Sequence, residues 1–196
     1  MEPNDGAVIA ESLTEPTRFA TIFDRHYDAV YGFVARRVGA ALAADLAAET
    51  FARAFASRRR YRPGVSSSAR PWLLGIAVNL LRHHHRTEGR QLRAYARTGV
   101  DPVLDATPDV ERRVDAEAAG PRLAEALASL RPAERDVLLL FAWADLSYAE
   151  IAEALGLEFG TVRSRLSRAR ARVRELLAGD EQEAFETAPT GEANDG

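Results

Sequence analysis

The stretch that decides the fold runs from Leu146 to Arg170 and reads LSYAEIAEALGLEFGTVRSRLSRAR. Ser147 and Glu150 have the spacing of a capping box, in which serine at the N-cap and glutamate three residues later satisfy each other's backbone amides. The helix that they start should end at Gly156, and a second helix is expected to begin near Thr161. Helix, glycine-containing turn and helix together predict a helix-turn-helix unit.

The second of these helices divides into two faces at about 100° per residue. One arc is apolar and should be buried: Val162, Leu166, Ala169, Val173, Leu176 and Leu177. The other side has small residues, which allow close approach to a major groove, and arginines, which can bind guanine. We expect DNA contacts from Thr161, Arg163, Ser164, Arg165, Ser167 and Arg168. A solvated arginine face at the end of a helical hairpin is the competing interpretation.

Charge divides the rest of the chain, although its net charge is only −3. All 26 basic residues are arginines, and 15 of them lie in residues 18–97 with only five acidic residues. We therefore expect five segments: a disordered acidic N-terminus (1–17), a basic helical domain (18–97), a flexible acidic linker (98–121), a second helical domain (122–178) and a disordered acidic tail (179–196).

The composition predicts an all-α protein built from two small helical domains, because alanine, leucine, arginine and glutamate dominate and period-two alternation is scarce. There is no cysteine, which fits a reducing cytoplasm. The longest apolar run, Val137 to Ala144, is far shorter than the roughly 20 residues of a membrane helix. We expect a cytoplasmic protein that has no membrane segment and is monomeric when free.

Three helices are predicted in the basic domain. Apolar side chains recur at helical spacing from Phe19 to Val38. Asp45 is the expected N-cap of the second helix, and Pro71 suits the first turn of the third. A loop should separate the second and third helices, since Pro63 and Gly64 precede a run of serines.

The third helix and the arginine cluster at 58–62 are candidates for nucleic-acid binding. Trp72 and Asn79 share one face of that helix, and Arg82, Arg86, Arg90 and Arg93 continue its basic surface. A tryptophan beside arginines can stack on unpaired bases, and an asparagine can read a base edge. The alternative for Trp72 is a place in the core, which is usual for large aromatic side chains.

His83, His84 and His85 do not predict a metal site, because consecutive residues of a helix point in different directions. A solvated or phosphate-facing role is the better interpretation. We see no nucleophilic triad, paired carboxylates or phosphate-binding glycine loop, so we expect neither a cofactor nor an enzyme.

Three motifs resemble the extracytoplasmic-function (ECF) sigma factors of bacterial RNA polymerase. Residues 146–152 and 160–170 resemble their region 4. Asp45–Phe51 resembles the region 2 helix that docks on the polymerase, and Pro71–Asn79 resembles the segment that opens the minus-ten element. The resemblance covers 18–97 and 122–178, with the motifs in the family's order.

The resemblance implies a promoter-specific initiation factor whose partners are core RNA polymerase, promoter DNA and, in many members, an anti-sigma factor. It implies a polymerase contact through Asp45, Leu46, Glu49, Thr50 and Phe51, with Asp45 and Glu49 preferred. It implies minus-ten contacts through Arg60, Tyr61, Arg62, Trp72, Asn79 and Arg82, with a flipped base in the loop from Tyr61 to Ser68, and minus-thirty-five contacts through the second helix of the helix-turn-helix. Ala48 departs from the family, which commonly has glutamine there.

Two other classes of function stay open at this point. A stand-alone helix-turn-helix regulator explains the second domain but leaves the basic, tryptophan-bearing first domain unexplained. A pure interaction adaptor predicts no nucleic-acid binding, which a salt-dependent DNA shift would exclude.

Overall fold

A computed structural model describes residues 4–84 and 122–186, with side chains up to residue 178. These residues form helices and no strand, which confirms the all-α class. The first half has α1 (Asp5–Glu11), α2 (Ala20–Val38), α3 (Ala40–Ser57) and α4 (Arg70–His83), with 3-10 turns at Pro16–Phe19 and Arg58–Arg60. The second half has α5 (residues 122–129), α6 (Pro132–Ala142), α7 (Tyr148–Leu155) and α8 (Phe159–Glu186).

The predicted linker (98–121) lies outside the described residues, as do Arg86, Arg90 and Arg93. Within the described ranges, no helix is long and apolar enough to cross a membrane.

The turn between α2 and α3 corrects the expected start of the second helix. Gly39 has φ 81° and ψ 163°, a conformation essentially limited to glycine, so α3 begins directly afterwards at Ala40. Asp45 is therefore an exposed residue within the helix and not its N-cap. The alanines at 40, 41, 43 and 44 have the highest helix propensity and extend α3 by this extra turn.

The three long helices of the first half pack around one apolar centre. Most positions that the helical periodicity predicts are buried there, whereas Phe23 and Phe55 remain exposed. The fully buried apolar residues include Ile22, Val30, Val34, Val38, Ala43, Ala47, Leu73, Leu74 and Leu81.

The N-terminus also differs from the prediction, because residues 1–17 contain a helix and not only disordered chain. The side chain of Asn4 caps α1 by accepting a hydrogen bond from the Ala7 N–H at 2.8 Å. Val8 and Ile9 are only 3% and 1% exposed, since α1 packs on the first-half bundle. Two large apolar residues in a seven-residue helix are too few to show a period, so the acidic composition hid this element.

The helix-turn-helix has the predicted caps. The Ser147 Oγ accepts from the Glu150 N–H at 3.3 Å, and the Glu150 carboxylate accepts from the Ser147 N–H at 2.9 Å. Gly156 ends α7 in the left-handed conformation, with φ 61° and ψ 43°. The last helix continues to Glu186, past the expected boundary at 178, and Glu181, Gln182, Glu183 and Ala184 favour this extension.

The two halves touch each other through α4. This helix packs against α2 and α3 on one side and against α6 and α7 on the other. Its two-sided burial explains why Gly75, Ala77 and Val78 are all buried. The helix that carries the candidate minus-ten residues therefore lies at the centre of the described structure.

Candidate nucleic-acid interface

The exposed face of α8 has the composition expected of a recognition helix. Val162, Leu166 and Ala169 are at most 1% exposed and hold the helix on the core. The predicted reading face points away from them: Arg163, Ser164, Ser167 and Arg168 are exposed, whereas Thr161 and Arg165 are half-buried at its edges. Four of the six candidates are thus open to solvent, where a major groove could meet them.

Several arginines of α8 already have partners within the protein. Arg168 Nε donates to Glu134 Oε1 on α6 at 2.9 Å, and the Arg168 side chain is 59% exposed. The Arg170 guanidinium lies 4.4 Å from the Phe141 ring centre, while its Nη1 is 3.4 Å from the Tyr148 hydroxyl. These contacts tie Arg168 to α6 and hold Arg170 against Phe141 and Tyr148.

The candidate minus-ten residues come from the 3-10 turn after α3, the following loop and α4. The rings of Tyr61 and Trp72 are in contact, with centres 4.8 Å apart. Trp72 is half-buried and packs on the core, so the structure combines the two alternatives that the sequence left open. Arg60, Arg62 and Asn79 are exposed.

Arg82 links this group to the second half. Its Nη1 donates to Asn79 Oδ1 at 3.2 Å, and its Nε donates to Asp136 Oδ2 of α6 at 3.1 Å. The structure thus brings Asn79 and Arg82 together, one turn apart on α4, and brings Tyr61 and Trp72 together at the other end of the helix.

Asp5 of α1 braces the loop before Trp72, which sequence reasoning missed. Its Oδ2 accepts from the Ala69 N–H at 2.7 Å and lies 2.6 Å from His26 Nε2, while its Oδ1 accepts from Arg25 at 2.9 Å. Burial alone would raise the pKa of this carboxyl, but the bonds from Ala69, His26 and Arg25 outweigh it and lower the pKa. The sequence signal for the helix that carries Asp5 was Asn4, because asparagine is a preferred N-cap residue.

The five candidate polymerase residues of α3 separate into exposed and buried sets. Asp45 and Glu49 are exposed, and Glu49 accepts from Arg53 Nε at 2.7 Å. Leu46, Thr50 and Phe51 are at most 7% exposed, so their side chains fix the helix and do not reach its surface.

Two exposed aromatic side chains lie next to these buried residues. Phe23 of α2 is 40% exposed and its ring centre is 4.9 Å from that of Phe51. Phe55 of α3 is 36% exposed, and the Arg58 guanidinium lies over its ring at 3.7 Å. These exposed aromatics add apolar area to the surface of α2 and α3, which makes that surface a better protein-binding candidate than the motif residues alone indicated.

Comparison with known families finds two matches in chain order. Residues 22–91 match Sigma-70 region 2, and residues 121–173 match Sigma-70, region 4. The matched segments contain α4 and the helix-turn-helix.

Among curated proteins, the RNA polymerase sigma factor CarQ of Myxococcus xanthus is 37% identical over 81% of this chain and 88% of its own length. HrpL of Pseudomonas syringae pv. syringae is 36% identical over 62% of this chain and 67% of its own. The ECF sigma factor SigE of Mycolicibacterium smegmatis is 36% identical over 68% of this chain, which spans about half (51%) of that protein.

Two solved structures share the fold. CnrH, in complex with the cytosolic domain of CnrY, superposes with a TM-score of 0.64 at 23% identity and covers 90% of this chain and 99% of its own. RpoE of Bartonella quintana, in complex with the anti-sigma factor NepR, has a TM-score of 0.55 at 24% identity and covers 82% of this chain and 96% of its own.

Proposed function

The chain belongs to the ECF subfamily of sigma-70 factors, initiation factors that bind core RNA polymerase and direct it to promoters, and we propose how its two halves divide that work. Residues 18–97 bind core polymerase and open the minus-ten element. Residues 122–178 read the minus-thirty-five element, and residues 98–121 join the two.

The observation that supports this division of work is the exposed face of α8, the second helix of the capped helix-turn-helix. Ser164 and Ser167 give this face little bulk, so the helix backbone can approach base edges closely. Arg163 and Arg168 supply the donors that can pair bidentately with guanine, whereas half-buried Arg165 is placed to hold a phosphate.

We assign the binding and opening of the minus-ten element to the surface at both ends of α4. The Tyr61–Trp72 pair offers an aromatic platform on which an unpaired base can stack. Asn79 and Arg82 offer an amide and a guanidinium for base or phosphate contacts. Arg60 and Arg62 add positive charge beside the loop that would hold the flipped base.

We assign the binding of core polymerase to the exposed residues of the α2–α3 surface. Asp45 and Glu49 provide charge, and Phe23 and Phe55 provide apolar area. Buried Leu46, Thr50 and Phe51 act by supporting α3.

Transcription with purified components tests the proposal. Transcripts sequenced after overproduction in a host supply a promoter, and that promoter is then transcribed with core polymerase and the purified chain. Initiation should depend on the chain and on both promoter elements. Specific binding to duplex DNA without co-elution with core polymerase would instead indicate a stand-alone regulator.

An anti-sigma factor and a cytoplasmic location are part of the same proposal. The two structural neighbours were solved with partners, one of which is named an anti-sigma factor. The similarity to these two structures supports the fold of this chain. The anti-sigma factor is inferred from the family, and co-purification from the native host tests it.

A further inference from the structure

The helix-turn-helix has an exposed aromatic ring that is not among the candidate DNA contacts. Phe159 is the first residue of α8 and is 54% exposed, more than Phe23 and Phe55 of the α2–α3 surface. We propose that Phe159 is a specificity-determining residue, whose ring packs against the C5-methyl group of a thymine at one position of the minus-thirty-five element. The inference rests on the proposed minus-thirty-five role of α8.

The place of Phe159 on α8 brings its ring to the end of the helix where DNA is expected. Phe159 precedes Arg163 by four residues, so the two side chains lie one turn apart on the same edge of α8. Side chains of an α-helix lean toward its N-terminus, so the ring extends ahead of Arg163. In helix-turn-helix docking, the N-terminal residues of the second helix contact base edges in the major groove. The ring is therefore placed to meet a base next to those that Arg163 reaches.

Tyr148 of α7 supports the Phe159 ring from within the protein. The centres of the two rings are 6.0 Å apart, and their planes are tilted by 47°. Tyr148 in turn meets the Phe141 ring edge-on at 5.8 Å, and its hydroxyl lies 3.4 Å from Arg170 Nη1. The ring of Phe159 is thus held on one side while about half of the residue is open to solvent. A side chain that is already held in place loses less entropy when it binds.

The chemistry around Phe159 favours an apolar group of a base over a phosphate. A phenyl ring has neither the hydrogen-bond donor nor the positive charge that phosphate contacts use. Glu158 comes directly before it, is exposed, and carries a negative charge that repels phosphates. Gly160 follows on the side of α8 opposite buried Val162, and nothing lies within 4 Å of a Cβ built on it, so the space beside the ring is open. The apolar group that base edges present in the major groove is the thymine methyl.

This contact adds a preference that the other candidate side chains of α8 do not supply. Arg163 and Arg168 can pair with guanine, and the serines between them are short and polar. Of the six candidates, only Thr161 carries a methyl group that can meet thymine, and Thr161 is half-buried at the edge of the face. Phe159 therefore extends the recognised sequence by a thymine beside the guanine contacts.

Deoxyuridine tests the contact, because it differs from thymidine only in lacking the C5-methyl group. Promoter duplexes are prepared with one deoxyuridine in place of each minus-thirty-five thymidine in turn. Their affinities are measured for holoenzyme that is assembled from core polymerase and the wild-type chain, Phe159→Ala or Leu123→Ala. Leu123 of α5 is the matched control, since its large apolar side chain is 42% exposed and lies outside the helix-turn-helix.

Wild type and Leu123→Ala should bind about fourfold more weakly when the thymidine at one position is replaced, as expected for the loss of one buried methyl group. Phe159→Ala should bind the unmodified promoter more weakly and lose nothing further at that position. Equal sensitivity of wild type and Phe159→Ala would overturn the proposal. A wild type that is insensitive at every position would also overturn it, while continued dependence on the minus-thirty-five element would still support the proposed function of α8.

A second variant separates the methyl contact from a supporting role of the ring beside Tyr148. Phe159→Leu removes the aromatic contact with Tyr148 but keeps an apolar side chain at the start of α8. It should therefore retain part of the sensitivity to deoxyuridine at the same position. Complete loss of this sensitivity in Phe159→Leu would indicate that the ring only supports Tyr148. Weaker co-elution of Phe159→Ala with core polymerase, with its sensitivity to deoxyuridine unchanged, would assign the ring to polymerase; either result would overturn the proposal.

Discussion

Arg168 shows at the residue scale how one side chain can serve two partners. In its ion pair with Glu134 the arginine is 59% exposed and the carboxylate is half-buried, so the pair contributes about 1 kcal/mol and can yield to a promoter base. We expect Arg168→Ala to weaken binding by about 1–3 kcal/mol at particular base pairs. Binding to promoters substituted at each minus-thirty-five position measures this, with exposed Arg174→Ala as the control. A uniform loss across all sequences would identify a phosphate contact.

Trp72 lies against the core and against Tyr61, so it can support a stacked base only if its ring stays in place. Trp72→Ala is expected to impair promoter opening and to leave transcription from a premelted promoter nearly intact, because the unstacking cost has already been met. Transcription from duplex and premelted templates gives the comparison. A defect of equal size on both templates would assign Trp72 to the core alone.

Asp5 links the N-terminus to the loop before Trp72. Its lowered pKa means that the unfolded chain binds the proton more tightly, so the stabilisation is full above the unfolded pKa, about 3.9, and is lost as pH falls toward the folded value. Asp5→Asn should cost about 1–3 kcal/mol at neutral pH, because charge-assisted bonds to Arg25 and His26 are lost.

Urea unfolding of wild type and Asp5→Asn across pH measures this effect. The difference between the two proteins should shrink as the solution is acidified. Exposed Asp24→Asn, in the same helix as His26, is the control for a general loss of charge. A difference that persists unchanged in acid would mean that the ionised carboxylate is not responsible.

At the scale of elements, the turn of the helix-turn-helix depends on Gly156. A side chain there would have space, since nothing lies within 4 Å of its Cβ, so the cost of substitution is conformational. Gly156→Ala should destabilise by about 1 kcal/mol and Gly156→Asn by less, because asparagine tolerates φ near +60°. Denaturant midpoints rank the three proteins, and equal costs for alanine and asparagine would contradict the conformational explanation.

Periodicity and caps predicted the long elements of this protein well. In the apolar arc of α8, Val162, Leu166 and Ala169 are buried, whereas Val173, Leu176 and Leu177 are half-buried. The capping box at Ser147 is formed, and Gly156 ends α7. The elements that differ are α1, the start of α3 and the end of α8. Helix α1 has only seven residues and so too few large apolar positions to show a period. In α3, the alanines before Asp45 show no apolar period, so Asp45 looked like the N-cap although the helix begins at Ala40.

At the scale of the whole molecule, the shared contact of α4 should join the two halves into one cooperative unit. The chain has two tryptophans, Trp72 in the first half and Trp143 in the second. Variants that retain one tryptophan each, Trp143→Phe and Trp72→Phe, report the halves separately. Their urea transitions should coincide. They should separate when Gly75→Ala is added, because a Cβ at position 75 would lie 2.1 Å from the Ala154 carbonyl oxygen in the second half. Separate transitions without Gly75→Ala would show that the halves unfold independently.

The sequence alone determined what depends on neighbouring residues: the helical class, the exposed arginine and serine face of α8, the caps of α7 and the candidate set at Trp72 and Asn79. These follow from spacings of three to seven residues, which the helix converts directly into faces and caps. Tertiary structure decided which candidates are exposed and that Asp5 braces the loop across 64 residues to Ala69. It also decided that Asp136 meets Arg82 of α4 and that Glu153 meets the loop at Val65. Such pairs are set by how helices pack, and packing joins side chains whose separation along the chain carries no signal.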